Sequence, residues 1–333
     1  MNRNNVKLED LPRICTPRLS YKPFEYPQFM ENGWFAQKYA FWLHTEVPMN
    51  EDIDNWNNDM SIEERNIASR ILKGFAQTEC EVNFYWAQTV SKWFPKPEIV
   101  AMAIGFADQE TIHAEGYSYL NETLSLDDFE AFLQDEETMA KLDFLININE
   151  ENSKERNGVD LEAIATSLFA FSGIAEGTLL FSSFMVLLSF QPRNMLKGIG
   201  QIIAWSVRDE SLHSNMGIEL FNTLCREVPE LRESIQERIY EACDIALELE
   251  TNFINQVFEE IELPNLTRLE LINFIKYRLN DRLVLAGYPI KYQTDKIMLE
   301  RLAWFDQIIS GVEVQDFLLR CLLIIVKRQK LGL

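Results

Sequence analysis

Glycine and proline are both scarce in this chain, 13 and 11 of 333 residues. That is too few to punctuate a turn-rich β architecture, so long helices are expected. Cysteine is equally thin. The five thiols (Cys15, Cys80, Cys225, Cys243, Cys321) are odd in number, scattered and never in C-x-x-C spacing. This argues against a disulfide frame or a zinc site and for reduced thiols in a cytoplasmic protein. Positive charge is also short: 31 Lys and Arg against 52 Asp and Glu give a formal net charge of −21. A chain this acidic lacks the electrostatic footprint for nucleic acid or an anionic membrane. No apolar run is expected to span a bilayer, since the longest, at 179–190, is interrupted by serines. The opening MNRNNVKLED has no apolar signal-peptide region. P-loop and Gly-rich nucleotide fingerprints are missing as well.

What is present is a mixed composition, 47% hydrophobic and 25% charged, typical of a globular protein long enough to bury a sizeable core. Residues 1–33, rich in proline, asparagine and aromatics, read as an extended arm; 34–317 as one domain; 318–333, apolar then basic, as an atypical tail. A helix is expected over about 34–43. Ser61-Ile-Glu-Glu64 is a capping-box start for a helix reaching about Lys92, where Phe94-Pro-Lys-Pro97 breaks it. A second long helix runs to about Leu124. An acidic stretch at 126–137 leads into a helix ending near Ser153, and Asn157-Gly158 marks a turn. Helices over about 161–189 and 195–225 flank Gln191-Pro-Arg-Asn194. Three more follow, with breaks at Leu263-Pro-Asn265 and Ala286-Gly-Tyr-Pro289. No stretch alternates with period two, so the fold is read as all-α.

Histidine is rarest of all, at three residues. Two of the three sit three positions after a glutamate, in Glu110-Thr-Ile-His113 and Glu210-Ser-Leu-His213. On a helix such pairs share a face. Two pairs, plus one glutamate from each of two other helices, make the dimetal-carboxylate site of four-helix bundles. Both halves of the chain supply the extra carboxylate. Glu79 lies 16 residues before Pro95 and Glu110 lies 15 after it; Glu176 lies 16 before Pro192 and Glu210 lies 18 after it. In antiparallel hairpins these pairs meet at nearly one height, about 23 Å from the turn. Glu176 is embedded in an apolar stretch, Phe169 to Phe181, where an unpaired carboxylate costs several kcal/mol. Glu81 is about 200° round the helix from Glu79, so only one of them can face the core. His44 is expected to be structural or exposed. Oxygen-rich ligation with two imidazoles suits iron or manganese better than zinc, and redox chemistry with O2 or a reduced oxygen species is the natural activity.

Trp42 with Thr45-Glu-Val-Pro-Met49, Glu79, Gln109-Glu-Thr-Ile-His113, Tyr117, Glu176 and Arg208-Asp-Glu-Ser-Leu-His213 extend the pattern. Over about 20–317 the chain resembles the small, radical-generating subunit of class I ribonucleotide reductase. The resemblance implies a ferritin-like helical bundle with additional helices around a dimetal-carboxylate core. It implies Glu79, Glu110 and His113 as ligands of one metal ion and Glu176, Glu210 and His213 of the other, carboxylates bridging. The ions would be Fe/Fe, Mn/Mn or Mn/Fe with a bridging oxygen species. Tyr117, on the same helical face as Glu110 and His113, would be the phenol oxidised to a radical; the corresponding place in the second half is Gly217. Asp209 would link a ligating histidine to Trp42, which relays an electron to the large subunit. A cytoplasmic homodimer partnered by that large subunit is implied, with no nucleic-acid or membrane partner.

Two departures stand out. Glu79 replaces the aspartate of many relatives, and subgroups with glutamate there use manganese/iron or two manganese ions. The resemblance also implies a tail with a relay tyrosine, whereas 316–333 contains none. Read one nucleotide out of frame, Ile-Ile-Val-Lys-Arg-Gln-Lys-Leu-Gly can encode Tyr-Ser-Lys-Ala-Thr-Lys-Thr-Trp. A frameshift near residue 317 is one hypothesis and an amphipathic ending the other; gene sequencing with intact mass separates them. A ferritin-like oxidase acting on an organic ligand, and a metal-storage bundle, are the competing functions.

Overall fold

In the computed structural model, which describes residues 11–126, 128, 130–153 and 160–311, helices carry the fold and no strand forms among the described residues. The first long helix, α1 (Ile62–Phe84), opens on a reciprocal cap. Ser61 Oγ accepts the Glu64 N–H at 3.2 Å, and the Glu64 carboxylate accepts the Ser61 N–H at 3.1 Å. The rod continues through a widened π-helical stretch, Tyr85–Val90, to Trp93. It turns back at the prolines into α2 (Pro97–Thr123), with Pro97 in its first turn, where a missing N–H costs nothing. After α3 (Glu136–Ser153) comes a composite central rod: α4 (Leu161–Leu168), a π-helical segment Phe169–Leu179, and α5 (Phe181–Leu188). Then follow α6 (Lys197–Glu227), α7 (Gln236–Val257) and α8 (Arg268–Leu285). The first turn of α6 is capped from a distance by buried Asp52, which accepts the N–H groups of Gly198 and Ile199 at 2.9 and 2.8 Å.

The central rod corrects the reading of apolar runs. Within Leu161–Arg193 an 18-residue window has mean hydropathy 1.6, long and apolar enough to cross a membrane, and all of it is buried inside the bundle. Its serines do not interrupt it. Ser182 is fully buried, and Ser189 satisfies its hydroxyl on the Val186 carbonyl at 2.7 Å.

The first helix also lies earlier than expected over 34–43. Phe29–Trp34 is π-helical and Phe35–Tyr39 α-helical, after which the chain unwinds. Packing sets this register. Gly33 lies against Met102, and Gly105 admits the Trp34 ring, so the segment beds on α2. The unwound stretch after Tyr39 lets Trp42 turn its ring inward, 2% exposed. Residues 1–10 of the expected arm, the Asn157-Gly158 turn, Cys321 and the 318–333 tail lie outside the described residues.

Candidate metal centre

Four helical segments each deliver part of one buried cluster: Glu79 from α1, Glu110 and His113 from α2, Glu176 from the π segment, Glu210 and His213 from α6. All six side chains are 0% exposed. Ligand atoms of Glu79, Glu110, His113 and Glu210 lie within 4.8 Å of one another, and so do those of Glu110, Glu176, Glu210 and His213. Glu110 and Glu210 therefore belong to both groups, which is the arrangement two adjacent ions with bridging carboxylates require.

The imidazoles are aimed by groups behind them. His113 Nδ1 faces the cluster, 2.9 Å from Glu110 and 3.0 Å from Glu210, while its Nε2 lies 3.2 Å from Asp209 Oδ2. His213 Nδ1 lies 2.6 Å from Glu110 and 4.0 Å from Glu176, while its Nε2 meets Gln37 Oε1 at 2.8 Å. Gln37 can only accept through that oxygen, so Nε2 carries the proton and Nδ1 is left as a bare donor pair pointing inward. Trp86 donates its indole N–H to Glu176. Gln37 and Trp86 escaped sequence reasoning: Trp86 sits on a π turn, and Gln37 on a segment whose register only packing determines.

Inside the cluster the polar atoms meet one another without hydrogen bonds of ordinary geometry. Both oxygens of Glu79, Glu110 and Glu210, one of Glu176, and both histidine Nδ1 atoms make no hydrogen bond of acceptable geometry. Burial, and then neighbouring carboxylates, push Glu79 and Glu176 well above the ordinary carboxylate range and Glu210 up to about 7. Burial would raise Glu110 too, but His213 and His113 outweigh it and hold it at about 2. Such a crowd of unpartnered oxygens and imidazole nitrogens fits two divalent transition-metal ions and little else.

Behind His113, Asp209 Oδ2 also accepts the Trp42 indole N–H at 2.7 Å and the Gln109 amide at 2.9 Å. Trp42 is stacked on His113, centroids 5.7 Å apart. Tyr117 is fully buried on the cluster face of α2, 4.7 Å from the Phe75 ring. Burial drives its phenol pKa well up, and Glu79 adds to the rise. Ser206 lies close enough to oppose that rise without forming a hydrogen bond of ordinary geometry. In the other half, Gly217 is closed in by Ser172 and by the Trp86 ring at 3.4 Å, so no phenol fits there. Glu81 is half-buried and outside both ligand groups, and His44 packs beside Tyr119 at 4.8 Å.

A family model described as ribonucleotide reductase, small chain, matches residues 18–298. The chain is 33% identical to a probable ribonucleoside-diphosphate reductase small subunit of Invertebrate iridescent virus 6, over 80% of this chain and 82% of that protein. It is 31% identical to its counterpart from Invertebrate iridescent virus 3, over 92% and 83%. Among solved structures, it superposes on the dimanganese(II) NrdF of Streptococcus sanguinis with TM-score 0.72 at 21% identity, covering 86% of this chain and 99% of that one. A class I ribonucleotide reductase protein from Bacillus halodurans gives TM-score 0.70 at 19% identity, covering 80% and 97%.

Proposed function

Because this chain belongs to the ribonucleotide reductase small-chain family, we propose that its buried cluster is the dimetal site from which an oxidising equivalent is passed to the large subunit. Glu79, Glu110 and His113 would hold one ion, and Glu176, Glu210 and His213 the other, with Glu110 and Glu210 spanning both. The convergence of unpartnered carboxylate oxygens and Nδ1 atoms in a fully buried site carries this reading. Two ions bound there, iron, manganese or one of each, supply one-electron oxidising power once activated by an oxygen species. The oxygen-rich donor set and the glutamate at position 79 favour manganese in at least one position.

The remaining roles fall to the chain's own side chains. Tyr117 is the storage group: its buried phenol is shielded from solvent reductants, and Glu79 is the strongest carboxylate influence on its proton. Asp209 fixes the His113 tautomer and holds the Trp42 N–H, so one carboxylate couples the cluster to the indole. Trp42 passes the oxidising equivalent outward, an electron moving inward through it. That linkage favours a reductase subunit over an oxidase acting on an organic ligand, which has no use for it. The names of the relatives point to ribonucleoside diphosphates as the substrates reduced on the large subunit. Exposed Phe35, Tyr39, Phe41 and Ile104 support a homodimer, and the free thiols among the described residues support a cytoplasmic setting.

The test is metal analysis with electron paramagnetic resonance on the wild type, Glu110→Ala and Glu210→Ala, alongside turnover with the large subunit. Two ions per wild-type chain, and loss of both in either variant, are expected. Full metal content in either variant would remove Glu110 and Glu210 from the bridging role.

A further inference from the structure

Ser206 lies on α6 one helical turn before Glu210, so both side chains project from one helical face. Phe106 holds the matching place on α2, one turn before Glu110, and its ring covers His213 of the opposite half at 4.2 Å. By the internal repeat, Ser206 stands beside the residues of the first half, where a small side chain leaves room for a phenol. Packing agrees. Ile202, one turn before Ser206, presses against α2 at Gly116, a methyl 3.6 Å from where a Cβ there would sit, and Tyr117 is the next residue. Ser206 is fully buried, and its hydroxyl donates to the Ile202 carbonyl of its own helix at 3.1 Å. As an α-helical carbonyl, Ile202 O also accepts the Ser206 N–H, so the hydroxyl bond is surplus. The Tyr117 hydroxyl, equally buried, makes no hydrogen bond of ordinary geometry. Burial drives the phenol pKa up, and Ser206 is the neighbouring hydroxyl that opposes the rise. One buried hydroxyl with a donor to spare therefore adjoins another that lacks a partner.

We infer that Ser206 is the hydrogen-bond donor to the oxidised Tyr117 oxygen, its hydroxyl turning from the Ile202 carbonyl to the phenoxyl. This rests on the reading of Tyr117 as the storage group. The reason is a change in what the tyrosine oxygen can do. A phenol both donates and accepts, whereas a phenoxyl oxygen has lost its proton and only accepts. Buried without a donor, such an oxygen carries a desolvation penalty. A serine hydroxyl has one donor and two acceptor positions, so it can serve either form. Nothing else around the phenol does this. The Phe75 ring, 4.7 Å away, has no donor, and the ionised carboxylates of Glu79 and Glu210 only accept. The oxidation itself, one electron and the phenol proton leaving toward the cluster, belongs to the Tyr117 reading. At Ser206 no covalent bond forms or breaks. The hydroxyl rotates about its Cβ–Oγ bond, and the Ile202 carbonyl keeps its backbone partner.

The experiment reads the radical rather than turnover, in the full-length protein with its metal ions, for wild type, Tyr117→Phe and Ser206→Ala. Alanine removes a single oxygen and suits a helix interior, so the fold is kept. The protein is exchanged into deuterium oxide before metal loading. Electron–nuclear double resonance on the wild-type tyrosyl signal should then show an exchangeable deuteron that is lost in Ser206→Ala. High-field paramagnetic resonance should find the largest g component raised in Ser206→Ala, because a hydrogen bond stabilises the oxygen lone pair and lowers that component. A wild type without the deuteron, or a deuteron and g component that Ser206→Ala leaves unchanged, overturns the Ser206 assignment and leaves Tyr117 in place. A wild type without a tyrosyl signal, or a Tyr117→Phe variant that keeps one, removes Tyr117 as the storage group and the donor with it.

Discussion

Arg278 donates two hydrogen bonds to the carbonyl oxygen of Gly177, at 2.9 and 2.7 Å, one residue beyond Glu176. The π segment widens the backbone there, and the guanidinium fork holds a carbonyl that a regular helix would have used internally. The same guanidinium lies 3.5 Å over the Phe181 ring. One turn on, Arg282 bonds Ser214 and Asn215, both at 2.9 Å, just past His213. Helix α8 thus clamps both elements that carry the second ligand group. Replacing Arg278 with Gln should loosen Glu176 and weaken the second metal ion about 10–100-fold, as loss of supporting contacts typically does. Metal titration should then resolve one tight and one weak ion. Two ions bound with wild-type affinity would leave Arg278 a purely structural residue.

Asp209 is expected to be the most sensitive position outside the six ligands. Asp209→Asn can keep the one oxygen that accepts from Trp42, Gln109 and His113, but it then turns its NH2 toward the Arg208 guanidinium that donates to Oδ1, and it removes the charge. Because the side chain is fully buried, the stranded donors should cost roughly 1–3 kcal/mol of stability. Turnover with the large subunit should fall further than metal content does, since the variant disturbs both the imidazole and the indole. Parallel losses in metal and turnover would reduce Asp209 to a ligand support.

The six-residue cluster was legible in the chain because helical spacing is arithmetic: i,i+3 pairs share a face, and equal distances from a proline turn share a height. Glu79 and Glu176 needed nothing more. Gln37 was not legible, because the helix bearing it begins about five residues earlier than its polar pattern suggests, pulled into register by Met102 against Gly33. Nor were the π segments, in which one extra residue per turn re-aims Trp86 and Glu176. That widening follows from tertiary packing, and no propensity encodes it.

The asymmetry between halves makes a paired prediction. Tyr117→Phe removes a buried hydroxyl that has no well-formed hydrogen bond, so calorimetry should find a thermal midpoint equal to or above that of the wild type. Metal content should be unchanged, and any tyrosyl paramagnetic signal should vanish. Gly217→Ala has the opposite profile. Its new methyl meets Ser172 in a close-packed wall, and overpacking of this kind should cost about 1–3 kcal/mol. A Tyr117→Phe protein that keeps the radical signal would place the oxidising equivalent elsewhere.

Without metal, the cluster should make the protein less stable as pH rises. Glu79 and Glu176 are raised well above their ordinary 4.5, and Glu210 to about 7, by burial and then by neighbouring carboxylates. Between pH 4.5 and 7 the folded chain therefore holds protons that the unfolded chain has released. His113 and His213, raised above 6.5 by their carboxylate neighbours against the pull of burial, act in the same direction. Each such proton gives about 1.4 kcal/mol of lost stability per pH unit within its window. Glu110, held at about 2, works oppositely, contributing stability above 4.5 that is lost only as pH falls toward 2. The metal-free melting temperature should thus peak near pH 4–5 and decline toward pH 8. Divalent ions replace exactly those protons, so manganese or iron(II) should raise the melting temperature more at pH 8 than at pH 6. Thermal scans with and without metal across this range would check it, and a metal-free midpoint that climbs from pH 5 to pH 8 would contradict the clustered-carboxylate account.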